Sequence, residues 1–321
     1  MRALVTGAAG FIGSHLSDAL VARGDHVLGV DCFTPYYPEH VKRDNVAALT
    51  SSSRFDLSEA DLRTADLGEL LDGVDVVYHL AAQPGVRLSW ADGFATYDQL
   101  NIGVTQRLLE ACRDRPALRR IVVASSSSVY GDAAAQPATE AQRCLPDSPY
   151  GVTKLAAEAL AIAYAHNFGV PTVCLRYFTV YGPRQRPDMA MARLIDCAVH
   201  GTAFAVYGSG EQRRDFTFVG DVVEVTIRAG DADLPAGEVI NVAGGESCSL
   251  NEVIAMVEAA TGRPIELDRQ AAQAGDVRQT SADVSVAHRL LGWSPSTGVR
   301  AGIEAFVRWA AADSADAHGV T

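Results

Sequence analysis

The sequence predicts an α/β fold, a doubly wound parallel sheet with a smaller α/β lobe toward its C-terminal end. Three observations predict it. An apolar strand at the start of the chain runs directly into a glycine-rich turn and a helix. Apolar runs of strand length then alternate with helix-length stretches through the first half. Near residue 180 that rhythm gives way to shorter elements punctuated by Pro183, Pro187, Gly201, Gly208 and Gly210.

The first strand is the apolar run Ala3–Val5, and an amphipathic helix begins around Phe11. Gly7, Gly10 and Gly13 fall between and into them. Gly7 permits a tight turn, Gly10 lets a pyrophosphate approach the backbone, and Gly13 lets helix and strand pack closely. The helix N-terminus offers free N–H groups and a positive dipole end to phosphate, so the chain is expected to begin with a dinucleotide site. Asp31 closes the next apolar segment, His26–Val30, about twenty residues on, where a carboxylate accepts hydrogen bonds from an adenosine ribose. That carboxylate would repel a 2′-phosphate, so NAD is expected rather than NADP. Arg43 could reach the same region, or be a solvated helix charge.

Further buried parallel strands are expected at Val74–Leu80, Ile121–Ala124 and Thr172–Leu175. Helices are expected over Phe94–Cys112 and Tyr150–Phe168. Ser249-Leu-Asn-Glu252 has capping-box spacing and should open a helix running to about Ala260. A last amphipathic helix is expected over roughly Gly298–Ala311. The expected organisation is a cofactor domain from residues 1–176 and 215–243, a substrate lobe from 177–214 and 244–312, and a frayed tail at 313–321.

Composition bounds the function. The 321 residues carry 48% hydrophobic and 21% charged side chains, ordinary for a soluble globular chain. A net charge of −12 argues against non-specific nucleic-acid binding and against anionic membrane surfaces. Residue 2 already starts the first strand, so no signal peptide is expected, and no apolar run is long enough to span a bilayer. Cysteines 32, 112, 144, 174, 197 and 248 form no Cys-x-x-Cys pair, and no His-Glu-x-x-His occurs. Reduced thiols in a cytoplasmic protein without zinc are therefore expected.

Tyr150-Gly-Val-Thr-Lys154 places a tyrosine and a lysine on one helix face. A free tyrosine, with a pKa of about 10, is a poor base at neutral pH. A nearby ammonium would stabilise its phenolate and let it exchange a proton near pH 7. Ala124-Ser-Ser-Ser-Ser-Val-Tyr-Gly131 follows a strand at the carboxyl edge of the sheet, where its hydroxyls could meet a sugar.

Thr-Gly-x-x-Gly-x-x-Gly, the hydroxyl strand end and Tyr-x-x-x-Lys together resemble the extended short-chain dehydrogenase/reductases, with their Rossmann-type sheet. Among these the chain is most similar to the NAD-dependent nucleotide-sugar 4-epimerases, in particular those acting on UDP-glucuronate. The most specific blocks are Tyr36-Tyr37 with Lys42-Arg43, Ala81-Ala-Gln-Pro-Gly-Val-Arg87, Ser125-Ser-Ser-Ser-Val-Tyr-Gly131, Arg176-Tyr-Phe-Thr-Val-Tyr-Gly182, Arg186-Pro-Asp-Met189 and Arg214-Asp-Phe216. The resemblance implies a triad of Ser126, Tyr150 and Lys154. It implies NAD contacts from Gly7, Gly10, Phe11, Ile12, Gly13, Asp31, Arg43, Asp61 and Leu62. Leu80, Ala81, Ala82, Gln83, Asn101 and Tyr177 complete that implied set, together with Tyr150 and Lys154. For a UDP-sugar it implies Arg87, Arg186, Arg193, Arg214 and Arg278 toward charged groups and Asp276 toward the uridine ribose. Gln273 stands where relatives often carry Arg.

Two departures bear on the reaction. Related 4,6-dehydratases carry an acidic pair directly after the catalytic hydroxyl residue, and related decarboxylases a Glu in that segment. This chain has Ser127 and Ser128 there, with Thr179 at the neighbouring strand end. Three hydroxyls can bind a C6 carboxylate without repelling it. The resemblance therefore implies inversion at C4 of UDP-glucuronate through a 4-keto sugar, in a homodimer built on the two long helices. A UDP-glucose or UDP-N-acetylglucosamine 4-epimerase is the nearest alternative. A decarboxylase, a dehydratase and a non-enzymatic NAD-sensing scaffold stand behind it.

Overall fold

The computed structural model describes residues 1–132, 135–271 and 278–318, with side chains through residue 312. Its centre is a seven-stranded sheet. Six of the strands are β1 (Arg2–Thr6), β2 (His26–Val30), β3 (Phe55–Ser58), β4 (Val76–His79), β5 (Arg120–Ser126) and β6 (Thr172–Tyr177). Their spatial order is Glu238–Val242, β6, β5, β4, β1, β2, β3, with every pairing parallel. Strands buried on both faces must be apolar along their length, which is why they read as continuous hydrophobic runs.

Alternate residues feed two cores. Val5, Val122 and Val173 pack on one face with Leu16 and Leu20 of the helix Phe11–Arg23 and Val222 of the helix Val219–Asp231. Leu4, Val77 and Ile121 pack on the other with Leu108 of the helix Val104–Cys112 and Ala161 of the helix Pro149–Phe168. β1 feeds β2 on one side and pairs with β4 on the other, so the winding direction reverses between β1 and β4. Ligands in such sheets bind outside the carboxyl ends of the strands at this reversal.

The stretch Phe94–Cys112 is not one regular helix. It is α-helical over Phe94–Tyr97, π-helical over Asp98–Gly103 and α-helical again over Val104–Cys112. The helix expected from Tyr150 starts at Pro149, with Ser148 accepting from the Gly151 N–H as N-cap, and ends at Gly169 in left-handed geometry.

A third core gathers beyond the sheet. Leu194 of the helix Ala190–His200, Val257 of the helix Leu250–Thr261, and Ile303 and Phe306 of the helix Val299–His318 meet in it. Three two-stranded sheets accompany them: Val180–Tyr181 with Thr217–Phe218, Arg213–Asp215 with Ser247–Ser249, and Phe204–Tyr207 with Leu267–Gln270. The Ser249–Glu252 capping box forms in both directions. The last helix continues to His318, past the expected end near Ala311. Among the described residues no helix is long and apolar enough to cross a membrane.

Candidate active site

A cleft of about 480 Å³ opens at the carboxyl ends of the strands. The glycine turn forms its floor. Gly7 takes φ +71°, and a Cβ there would stand 2.9 Å from the Ala81 nitrogen. At Gly13 a Cβ would stand 2.1 Å from the Gly7 carbonyl oxygen, so only glycine lets the helix lie this close to the turn. Gly10 precedes the helix Phe11–Arg23, and no side chain caps that N-terminus. Asp31 lies at the end of β2, its carboxylate accepting from the Ala9 N–H at 3.2 Å and the Phe33 N–H at 2.8 Å. Uncapped helix N–H groups, a side-chain-free turn and a carboxylate at the next strand end fit a dinucleotide's pyrophosphate and ribose.

Most of the residues implied for the cofactor line this cleft: Gly7, Gly10, Phe11, Ile12, Gly13, Asp31, Asp61, Leu62, Leu80, Ala81, Ala82, Gln83, Tyr150, Lys154 and Tyr177. Asn101 stands behind the lining. Its side chain accepts from the Gln83 N–H at 2.7 Å and donates to the Gln83 carbonyl at 3.1 Å. Arg43 is outside the lining. Its guanidinium is taken by Glu39 and Glu59 and stacks 4.3 Å from the Phe33 ring centre. The cation that does reach Asp31 is Lys42, buried, with Nζ 4.0 Å from the Asp31 carboxylate and donating to the Thr34 carbonyl at 3.0 Å. In the sequence Lys42 stands out only within the Tyr36-Tyr37 and Lys42-Arg43 block, with no site role of its own. The i,i+4 spacing of Glu39 and Arg43 was the available sign that Arg43 is spent locally.

Ser126, Tyr150 and Lys154 converge in the same cleft. Ser126 caps the turn Ser127–Val129, accepting from the Ser128 N–H at 3.2 Å, and hydrogen-bonds the Tyr150 hydroxyl. Burial pushes the Tyr150 phenol up, while the Ser126 hydrogen bond and the Arg186 charge draw it down. The Lys154 ammonium, expected to stabilise the phenolate, is not among the groups that shift it here. The desolvation that surrounds both groups dominates, and it drives the Lys154 ammonium down to about 8.

Behind the triad a buried network fixes the strand end to the helix. Glu158, one turn after Lys154, accepts from Ser125 Oγ at 2.7 Å and from Arg176 Nε at 3.0 Å and Nη2 at 2.5 Å. Arg176 Nη1 donates to the Tyr130 hydroxyl at 2.7 Å. Every charged group here has an opposite partner, as burial demands.

Of the substrate-side residues, Ser127, Ser128, Thr179 and Arg186 line the cleft. Arg186 donates to both Asp188 carboxylate oxygens, at 3.0 and 3.1 Å, and lies 5.5 Å from the Tyr36 ring centre. Arg87 stacks 5.1 Å from the Tyr207 ring centre, outside the lining. Arg193 is exposed and Arg214 half-buried, both outside the lining. Arg278 is held by Asp132, its backbone N–H and Nε donating to that carboxylate at 2.9 and 3.3 Å. Gln273 and Asp276 lie outside the described residues. Tyr36, Tyr37, Gly85 and Met189 also line the cleft and were not singled out as site residues from the sequence, since the chain alone does not show that loops so far apart meet. Among the described residues no cluster of three His, Cys, Asp or Glu side chains could hold a metal ion.

The profile of the NAD dependent epimerase/dehydratase family matches residues 3–243. An uncharacterised UDP-glucose epimerase of Bacillus subtilis, YtcB, is 45% identical over 305 residues, covering 94% of this chain and 96% of its own length. A UDP-glucuronate 4-epimerase of Thermodesulfobacterium geofontis is 35% identical, covering 95% of each chain. The crystal structure of the UDP-glucuronic acid 4-epimerase of Bacillus cereus, in complex with UDP-glucuronic acid and NAD, is similar with a TM-score of 0.93. It is 44% identical and covers 96% of this chain and 98% of its own. With its sheet, its glycine turn and its convergent Ser126, Tyr150 and Lys154, the chain belongs to the NAD dependent epimerase/dehydratase family.

Proposed function

We propose that this protein is an NAD-dependent UDP-sugar 4-epimerase whose substrate is UDP-glucuronate and whose product is UDP-galacturonate. The observation that carries this reading is a single cleft holding Ser126, Tyr150 and Lys154 together with Ser127, Ser128, Thr179 and Arg186. Bound NAD supplies the hydride acceptor and donor for C4. Tyr150 takes the C4 hydroxyl proton and later returns it, with Ser126 positioning that hydroxyl and Lys154 placing positive charge beside the phenolate. The 4-keto uronate is a β-keto acid and loses CO2 when its C5–carboxylate bond aligns with the ketone. Ser127, Ser128 and Thr179 hold the carboxylate out of that alignment, and Arg186 contributes a charge-assisted contact.

The neutral-sugar alternative finds support in the B. subtilis relative named a UDP-glucose epimerase. Purified protein incubated with UDP-glucuronate, UDP-glucose and UDP-N-acetylglucosamine, with the products resolved, decides between them. The expected result is UDP-galacturonate, and conversion of only the neutral sugars overturns the uronate reading. Tyr150→Phe should lower turnover by roughly a hundred- to ten-thousand-fold, and near-wild-type activity would sink the acid–base assignment. We further propose a homodimer working in the cytoplasm, where its six unpaired cysteines stay reduced.

A further inference from the structure

His79 ends β4 and is buried between Thr6 at the end of β1 and Thr105 of the helix Val104–Cys112. Its Nδ1 is 2.8 Å from Thr6 Oγ1 and its Nε2 is 3.1 Å from Thr105 Oγ1. The surrounding bonds assign every proton. Thr105 spends its hydroxyl hydrogen on the Asn101 carbonyl, 2.6 Å away, so its oxygen must accept from the ring. Nε2 therefore carries the ring proton and Nδ1 is bare. Thr6 donates to that bare nitrogen, which leaves its oxygen to accept the Ala81 N–H at 3.1 Å.

Each end of this relay stops at a different part of the site. Thr6 immediately precedes Gly7, and Ala81 is the residue against which the Gly7 turn packs. On the other side, Asn101 donates to Thr153 Oγ1 at 3.0 Å, and Thr153 donates to the Tyr150 carbonyl at 2.8 Å. Thr6, Asn101, Thr105 and Thr153 are all buried, so no water substitutes for a lost partner without rearrangement.

We propose that His79 is a positioning residue for the epimerase reaction, its Nδ1 fixing the cofactor loop and its Nε2–H fixing the Tyr150 helix. The inference rests on the epimerase reading above, but not on which UDP-sugar is turned over. Burial, with the Lys154 charge, pushes the imidazole down to about 3, so it stays neutral at working pH and both roles persist.

Three variants and one spectrum test it. His79→Asn keeps an acceptor near the Nδ1 position and loses the donor. His79→Gln keeps a donor near the Nε2 position and loses the acceptor, and His79→Leu loses both. The readouts are NAD(H) released per chain after gel filtration and denaturation, and kcat and KM with NAD in excess. His79→Asn should retain its NAD and lose kcat by roughly 100-fold with little change in KM. His79→Gln should lose its NAD on gel filtration and, resupplied, regain a kcat close to wild type. His79→Leu should show both losses. Parallel losses in Asn and Gln, or none in Leu, overturn the division of roles.

The ring nitrogens of ¹⁵N-histidine-labelled wild-type protein read the tautomer without any substitution, so variants that fail to fold do not leave the proposal open. A proton on Nε2 and none on Nδ1 is expected, and the opposite tautomer overturns it. If wild-type protein turns over no UDP-sugar, the epimerase reading fails, whereas the NAD retention and the tautomer still report on His79.

Discussion

Lys154 holds an ammonium where burial disfavours one. Its ordinary value near 10.5 falls to about 8, so at neutral pH it is charged in both the folded and the unfolded chain, and the folded state bears the desolvation. The gap corresponds to about 3 kcal/mol against folding. Lys154→Met should therefore abolish turnover yet stabilise the protein by up to about 3 kcal/mol at neutral pH. As pH rises through about 8, the folded wild type sheds the proton while the unfolded chain keeps it to about 10.5, so the variant's advantage should shrink across that window and vanish above it. Denaturant unfolding of both proteins at a series of pH values measures this, and a destabilised variant at neutral pH would show that attraction outweighs burial at this site. Thr179 bears on product rather than rate. A hydrogen bond to a charged group contributes about 1.5–3 kcal/mol, enough to let a freed carboxylate swing toward alignment with the ketone. Thr179→Ala should release UDP-4-keto-pentose and CO2 from UDP-glucuronate, with the cofactor left reduced, and should barely affect any turnover of UDP-glucose. Equal losses on both substrates without CO2 would reduce Thr179 to a wall of the cavity.

At the scale of elements, the helix Phe11–Arg23 is docked on β1 through a contact that tolerates no side chain. A Cβ at Gly13 would stand 2.1 Å from the Gly7 oxygen and 2.8 Å from its carbonyl carbon, both backbone atoms that cannot turn away. Gly13→Ala should push the helix off the turn, destabilise the fold by roughly 1–3 kcal/mol and empty the protein of NAD. Gly103→Ala is the control, since nothing stands closer than 3.8 Å to its Cβ position. Retention of NAD by Gly13→Ala would mean that the turn adapts. Such elements were legible because local chemistry and burial point the same way: strands covered on both faces, a glycine turn at a strand end, a capping box at Ser249. The π-turn Asp98–Gly103 was not, because the one-residue slip that makes it leaves no signature in an apolar pattern read as a single helix. The same limit hid the role of Lys42, whose burial beside Asp31 is decided by the packing of distant loops, and the contact of Tyr36 with Asp188 and Arg186 across some 150 residues of chain.

At the scale of the molecule, the unanswered surface is apolar. Leu88 is 62% exposed, Trp90 54%, Phe94 40% and Val152 46%. The first three fall within seven residues at the entry to the stretch Phe94–Cys112, and Val152 lies on the first turns of the helix Pro149–Phe168. An isolated exposed leucine means little, but four large side chains on the two segments expected to pair between copies form a candidate self-complementary patch. A twofold axis through it would set the same residues against themselves, which is the isologous arrangement most homodimers adopt. The site would then be braced from outside, since Tyr150 and Lys154 sit on the same helix as Val152 and Asn101 lies within the partnered stretch. Trp90→Glu combined with Phe94→Glu would place charges in the middle of that contact, where two copies of each would face one another. The double variant should run as a monomer by light scattering at micromolar concentration, where the wild type should run as a dimer. Its cofactor turn is untouched, so it should still release close to one NAD per chain. A wild type that is already monomeric at that concentration removes the interface, and a double variant that stays dimeric moves it to another face.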